Sequence, residues 1–320
     1  MKAILVREFG GPEVMQIGEA DVPEPEAGQV LVRIRAAGIN PVDTYIRAGQ
    51  HSVRPELPYT PGKDGAGVVE RVGPGVERWR EGDRVFTADT LTGTYAEYAL
   101  CREDQLGRLP DNVSFEQGAG VYTPYATAYR ALFQKARAKA GETVLVHGAS
   151  GGVGIAAVQF AANAGIRVLG TASSKEGKEL VRTSGAVAVF DHSADGYLDE
   201  ILEQTEDRGP DVILEMLANV NLENDLKILA KFGRVVVIGS RGSLEFAPRS
   251  AMAKDAVIYG MLLFNAPKAE LREAVEKIEE GLAAGYLKPT VEAEFPLSEA
   301  PRAHREVMDR KAQGKIVLTV

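Results

Sequence analysis

Cysteine is almost missing from this chain: Cys101 is the only one among 320 residues. A single thiol excludes an intrachain disulfide framework and any closed thiolate metal site, and it suits a reducing, cytoplasmic compartment. Long apolar runs are also absent. The opening Met1-Lys2-Ala3-Ile4-Leu5-Val6-Arg7 has four consecutive apolar residues before a charge, too few for a secretory signal core, and reads as a first strand. No stretch approaches membrane-spanning length, so no membrane partner is expected. Positive charge is in deficit, with 37 Lys and Arg against 45 Asp and Glu. The net charge of -8 argues against a dedicated nucleic-acid surface. Nothing repeats at a period of about 20–50 residues, and no segment is low in complexity.

What is present is globular. The chain is 45% hydrophobic and 26% charged, and its length exceeds the roughly 250–300 residues at which one core stops growing. Two domains are therefore expected. Before residue 115 the texture is β-rich with frequent turns. Residues 30–35 alternate in their later part as a half-buried strand does, and residues 67–73 and 94–99 behave similarly. Pro23, Pro25, Pro55, Pro58, Pro61 and Pro74 punctuate this half, so short antiparallel strands are expected. Beyond residue 140, apolar runs at 144–146, 167–169, 187–190, 212–214, 235–238 and 257–263 alternate with helical stretches such as 176–183, 197–206 and 222–231. That alternation predicts a parallel sheet covered on both faces. Helices are expected over 268–284, with Leu271, Val275, Ile278 and Leu282 on one face, and over 299–313. The terminal strand 315–318 is expected to return to the first domain and complete it.

The most informative stretch is Thr143-Val144-Leu145-Val146-His147-Gly148-Ala149-Ser150-Gly151-Gly152-Val153-Gly154. It reads as a buried strand, a glycine-rich turn and the start of a helix over 155–164. A dinucleotide pyrophosphate can sit at such a junction, where small residues let the backbone approach the phosphates and the helix start offers unpaired N–H groups. The pattern departs from G-x-G-x-x-G at its first position, Ala149. An NAD site usually carries an acid about 20 residues beyond the glycines, bonding the ribose hydroxyls. Here Thr171-Ala172-Ser173-Ser174-Lys175 ends the second strand without one. Nothing repels a 2′-phosphate and Lys175 offers a counter-charge, so NADP is expected. Ser173 and Ser174 also suit a helix cap, and Glu176 and Lys178 leave the local charge mixed.

Several motifs together resemble one superfamily. Val72-Gly73-x-x-Val76-x-x-Trp79-x-x-Gly82-Asp83-Arg84-Val85 is similar to the turn into a strand of the medium-chain dehydrogenase/reductases. Gly38-Ile39-Asn40-Pro41-Val42-Asp43-Thr44-Tyr45-Ile46-Arg47-x-Gly49 narrows the likeness to quinone oxidoreductases. Tyr59-Thr60-Pro61-Gly62, the 148–154 turn and Glu215-Met216-Leu217-Ala218-Asn219-Val220-Asn221 resemble their zeta-crystallin-like, zinc-free branch. The likeness runs nearly end to end. It implies an α/β protein: a Rossmann doubly wound parallel sheet over 119–264 that binds NADP (NADPH), and a GroES-like β-barrel catalytic domain over 1–118 and 265–320.

Zinc members of the superfamily place a cysteine after the Gly-Ile pair, where Asn40 stands, and their Gly-His-Glu is Gly62-Lys63-Asp64 here. His51, His147, His192 and His304 show no ligand spacing, so no metal is expected. The resemblance implies that Ser150, Gly151, Gly152 and Val153 wrap the pyrophosphate, that Tyr45 lies near the nicotinamide end and that His192 approaches the adenosine. It also aligns Asn221, Ile238, Gly239, Ser240 and Arg241 with cofactor contacts, and the backbone of Met261, Leu262 and Leu263 with the carboxamide. Taken alone, a histidine after a strand reads as structural and these apolar runs as core.

No Ser-His-Asp or Cys-His grouping has plausible spacing, and hydride transfer needs none. A reducible carbonyl or quinone gains from a donor near its developing oxyanion. Asn40, Tyr45, Tyr59, Lys63 and Thr127 are candidates by position in the matched motifs, Asn40 and Tyr45 first. NADPH-dependent quinone reduction in the cleft between the two domains is the leading expectation. One alternative keeps the cofactor and takes an enone such as a 2-alkenal. Another, a non-catalytic nucleotide- or nucleic-acid-binding protein, is disfavoured by the acidity and the intact cofactor motifs. The apolar run 257–264, placed at a sheet edge, predicts a homodimer or homotetramer.

Overall fold

The computed structural model describes residues 1–309 and 313–320. They form two compact units: residues 1–123 with 275–309 and 314–320, and residues 124–274 with 313. Both divisions fall later than the expected 118/119 and 264/265. Phe115–Ala119 packs on Gln29–Gly38 and Asp64–Val72, which keeps it in the first unit. The helix Lys268–Ala284 is shared. Its Glu270 pairs with Arg130 at 3.1 Å and its Glu273 accepts from Tyr129 Oη at 2.8 Å within the second unit, whereas Glu279 pairs with Arg78 at 2.6 Å within the first.

Gln29–Gly38, ten residues long, is the axis of the first unit. It pairs antiparallel with Asp64–Val72, Tyr98–Arg102 and Lys315–Thr319. The terminal strand thus returns to this unit, lying between Gln29–Gly38 and Val291–Pro296. The strands before residue 115 are antiparallel and mostly short, three to five residues, as expected; Gln29–Gly38 and Asp64–Val72 are the two long exceptions, and Pro23, Pro25, Pro55, Pro58, Pro61 and Pro74 all fall in connections. The strand expected over 94–99 begins only at Tyr98. Thr94 N and Tyr95 N donate to Gly62 O (3.1 Å) and Pro61 O (3.0 Å), which holds that segment as a loop against the 60–63 turn. Trp79 is buried, its indole N–H donates to Glu103 O at 3.0 Å, and the guanidiniums of Arg78 and Arg108 lie over its ring at 4.8 and 5.3 Å.

The second unit carries six parallel strands in the spatial order Ala188–Phe190, Arg167–Thr171, Thr143–Val146, Val212–Glu215, Arg234–Val237, Val257–Gly260. Chain order reverses between Thr143–Val146 and Val212–Glu215, the Rossmann arrangement. Val144, Leu145, Val146, Ile213 and Leu214 are fully buried, as a sheet covered on both faces requires. Gly152–Asn163, Lys175–Thr183, Tyr197–Gln204 and Ala218–Ile228 are the intervening helices. The last starts four residues before the expected 222 and stops short of 231, since Ala230 N turns to donate to Pro210 O at 3.0 Å. The long edge strand expected over 257–264 is confined to Val257–Gly260, and Leu263–Asn265 forms a single 3₁₀ turn. The helix expected over 299–313 is observed as Ala300–Asp309, while positions 310–312 lie outside the described residues. Among the described residues no helix is long and apolar enough to cross a membrane.

Candidate active site

At the carboxyl end of Thr143–Val146 the chain passes through Gly148 (φ 56°) to Gly151, whose extended backbone (φ -78°, ψ 168°) starts the helix Gly152–Asn163. The N-cap residue is Gly151, which brings no side chain to the helix start, as suits an anion-binding site there. A Cβ on Gly154 would lie 2.5 Å from both Gly148 O and Ala149 Cα, so only glycine permits the close crossing of helix and turn. Ser150, Gly151, Gly152 and Val153 are all half-buried along this turn.

The remaining nucleotide candidates gather at neighbouring strand ends. Thr171 Oγ1, closing the second strand, accepts from Gly148 N at 3.1 Å. Ser174 is the helix cap, accepting from Gly177 N at 3.0 Å, which leaves the half-buried Ser173 beside it and puts Lys175 exposed on the first turn. Among the described residues no ion pair engages Lys175, whereas Lys178 pairs with Asp191 at 2.7 Å, next to the exposed His192. Asn221 Nδ2 donates to Glu215 Oε1 at 3.1 Å. Ile238 N and Gly239 N both donate to Glu215 O (2.8 and 3.2 Å), and Ser240 Oγ and Arg241 N donate to Asn219 Oδ1 (3.3 and 2.8 Å). Met261 N is spent on Val237 O at 3.0 Å, Leu262 is exposed and Leu263 is buried. Thr127 is buried in the helix Tyr122–Tyr129.

The first unit holds a cavity of about 140 Å³ lined in part by Asp43, Ile46, Val53, Tyr59, Lys63 and Leu91. Tyr59 is fixed by backbone bonds to Val6, with its N donating to Val6 O (3.1 Å) and its O accepting from Val6 N (2.9 Å). Its hydroxyl is buried without a hydrogen-bond partner. Burial, with the Asp43 carboxyl beside it, pushes that phenol up to about 12, so it stays a donor. Burial pushes the Asp43 carboxyl up to about 6, against the opposing hydrogen bond from Asn40 N. Lys63 is held in an ion pair by Asp89. Tyr45, on Pro41–Arg47, is half-buried and is not among the lining residues, nor is Asn40.

Asn40 instead organises the wall behind Asp43. It caps Pro41–Arg47, its N donating to Asp43 Oδ2 at 2.8 Å. Its carboxamide is engaged on both atoms: Nδ2 donates to Asp64 Oδ2 at 3.0 Å, and Oδ1 accepts from Lys315 Nζ. Lys315 also lies 3.4 Å from Asp64 Oδ2, and Asp64 accepts from Thr123 N and Oγ1 (3.1 and 2.6 Å). Burial lowers the Lys315 pKa, opposed by the Asp64 and Asp43 carboxyls.

This donor set does not fit zinc. At the positions of Asn40, Lys63 and Asp64 there is no thiolate and no imidazole, and a buried ammonium already occupies the Asn40 and Asp64 oxygens. His147, unremarkable in spacing, does meet two carboxylates, Glu215 and Asp225. Its imidazole is spent on Asp225 Oδ1 at 2.8 Å and Thr171 Oγ1 at 3.4 Å.

An alcohol dehydrogenase GroES-like domain model matches residues 26–111 and a zinc-binding dehydrogenase model matches residues 152–280. The rat quinone oxidoreductase is 50% identical over 99% of this chain and 97% of its own length, and the human quinone oxidoreductase 48% over the same shares. Among solved structures, Escherichia coli quinone oxidoreductase complexed with NADPH is 30% identical with a TM-score of 0.89, covering both chains in full. An NAD-dependent alcohol dehydrogenase has a TM-score of 0.92 at 32% identity over all of both chains, so the backbone alone does not select the cofactor.

Proposed function

Since the chain belongs to the quinone oxidoreductase family of the medium-chain dehydrogenase/reductases, and is an oxidoreductase, we propose that it reduces quinones with NADPH and without zinc. NADPH, when bound, supplies the hydride. The cavity under Tyr59 carries the quinone reading. Its volume of about 140 Å³ is close to the ~150 Å³ that admits one benzene-sized ring. Ile46, Val53 and Leu91 offer a flat apolar ring its walls, and Tyr59, whose buried hydroxyl has no hydrogen-bond partner, would have to turn that donor into the cavity to meet a ligand oxygen. Donation at that oxygen favours the charge that develops on it during reduction. The decisive assay follows NADPH oxidation with single-ring quinones and 2-alkenals side by side. Quinones should accelerate it, and acceleration by 2-alkenals alone would reject the reading.

The missing acid at Ser173 and the exposed Lys175 support a 2′-phosphate at the end of Arg167–Thr171. Ser173→Asp should therefore weaken NADPH at least about tenfold, because a hydrogen bond to a charged group is worth roughly 1.5–3 kcal/mol. NADH should change less. Equal affinity of the unaltered protein for the two cofactors, measured by fluorescence titration, would refute the preference.

Val257–Gly260 is the outer strand of the parallel sheet, with Val257 and Ile258 41% and 36% exposed. An apolar edge of this kind favours pairing with a second copy. A homodimer or a dimer of dimers is the proposed assembly, so light scattering should give at least twice the 34.3 kDa chain mass. A monomer that persists at working concentrations would count against it.

A further inference from the structure

Three titratable side chains meet where the strand order of the second unit reverses. His147 follows Thr143–Val146, Glu215 ends Val212–Glu215 and Asp225 comes from Ala218–Ile228; all three are buried. His147 Nε2 lies 2.8 Å from Asp225 Oδ1 and 3.7 Å from Glu215 Oε2. Glu215 Oε1 accepts from Leu217 N and from Asn221 Nδ2, and the Glu215 carbonyl accepts from Ile238 N and Gly239 N. One residue therefore ties together both turns that follow the switch point. Its other carboxyl oxygen, like Asp225 Oδ2, has no hydrogen-bond partner. Two buried carboxylates facing each other are costly, and one proton on the pair relieves both orphan oxygens. Burial pushes each carboxyl up to about 7, in keeping with a retained proton.

In a doubly wound sheet the strands before the reversal carry one mononucleotide half of the ligand and those after it the other. The glycine turn lies before the reversal, so the turns tied by Glu215 face the nicotinamide half. We propose that Glu215 is a positioning residue for the nicotinamide half of NADPH, acting through Asn221 and the 217–218 and 238–239 turns; this rests on the NADPH reading above. The Cβ that any other residue would bring at Gly239 falls 2.3 Å from Met216 O, so these two turns are already in contact and move together.

The test compares NADPH with 2′,5′-ADP, which carries only the adenosine half, by titration calorimetry on the full chain. Glu215→Ala should weaken NADPH by about tenfold, as for a lost hydrogen bond to a charged group, while 2′,5′-ADP stays within about twofold. The KM for NADPH should rise more than kcat falls. Glu215→Gln keeps an oxygen for Leu217 and Asn221 and places N–H toward Asp225, so it should restore NADPH affinity to within about threefold of wild type. Unchanged NADPH affinity in Glu215→Ala would overturn the proposal. So would equal loss of both ligands in both variants, which marks a purely structural role. An unaltered chain that binds 2′,5′-ADP but not NADPH would remove the cofactor reading itself.

Discussion

Lys315→Met should destabilise the first unit by about 3 kcal/mol, the lower end of what breaking a buried ion pair costs. Lys315 is 6% exposed and Asp64 is fully buried, so the substitution strands a carboxylate without its ammonium. The lower end applies because Asp64 keeps three donors, from Asn40 Nδ2, Thr123 N and Thr123 Oγ1. The Asn40 carboxamide loses the partner of its oxygen, and with it the fixed wall behind Asp43 and the cavity. Urea unfolding followed by tryptophan fluorescence reads this unit selectively, since Trp79 is the only tryptophan and is buried there. Adding Asp64→Asn should recover most of the loss by removing the stranded charge. A Lys315→Met protein as stable as the original would disprove the account. Retention of NADPH affinity alongside reduced quinone turnover is the expected activity signature.

What could be read from the sequence is what neighbours along the chain encode. The 148–154 turn, the missing acid at Ser173 and the alternation of apolar strands with helices each depend on residues within one supersecondary unit, and each is in place. The pairings that build the site are different in kind. Lys315 and Asp64 are 251 positions apart, and His147 and Asp225 are 78 apart. No local pattern links such partners, and a lysine opening a terminal strand looks like any solvated charge. Lys63 shows the consequence: the Gly62-Lys63-Asp64 motif puts a cation beside Asp64 in sequence, yet the structure turns Lys63 to Asp89 and brings Lys315 to Asp64. Tyr59 and Asp43 both stand in the matched motifs, but their sharing a cavity wall involves a contact distant in the chain, the backbone pairing of Tyr59 with Val6. The strand expected over 94–99 starts only at Tyr98, because Thr94 and Tyr95 bond back to Gly62 and Pro61, a pairing no local pattern announces.

Gly154→Ala should cost NADPH binding roughly 10–100-fold, the equivalent of about 1.4–2.7 kcal/mol. Two effects oppose each other. Alanine inside a helix gains about 1 kcal/mol over glycine in propensity. Against it, the new Cβ falls 2.5 Å from Gly148 O and from Ala149 Cα, far inside van der Waals contact, and both are backbone atoms without a flexible end to move aside. Either the helix Gly152–Asn163 lifts away or the turn at Gly148 and Ala149 shifts, and overpacking of that sort costs about 1–3 kcal/mol by itself. The overlap therefore outweighs the propensity gain. Because Gly148 N is also bonded to Thr171 Oγ1, a shift of the turn disturbs the second strand end as well, where the 2′-phosphate is proposed to sit. Fluorescence titration with NADPH measures the loss, and circular dichroism establishes that the variant is folded. The first unit, which contains none of these atoms, should keep its unfolding midpoint by Trp79 fluorescence. Wild-type NADPH affinity in a folded Gly154→Ala protein would remove the glycine turn from the cofactor site.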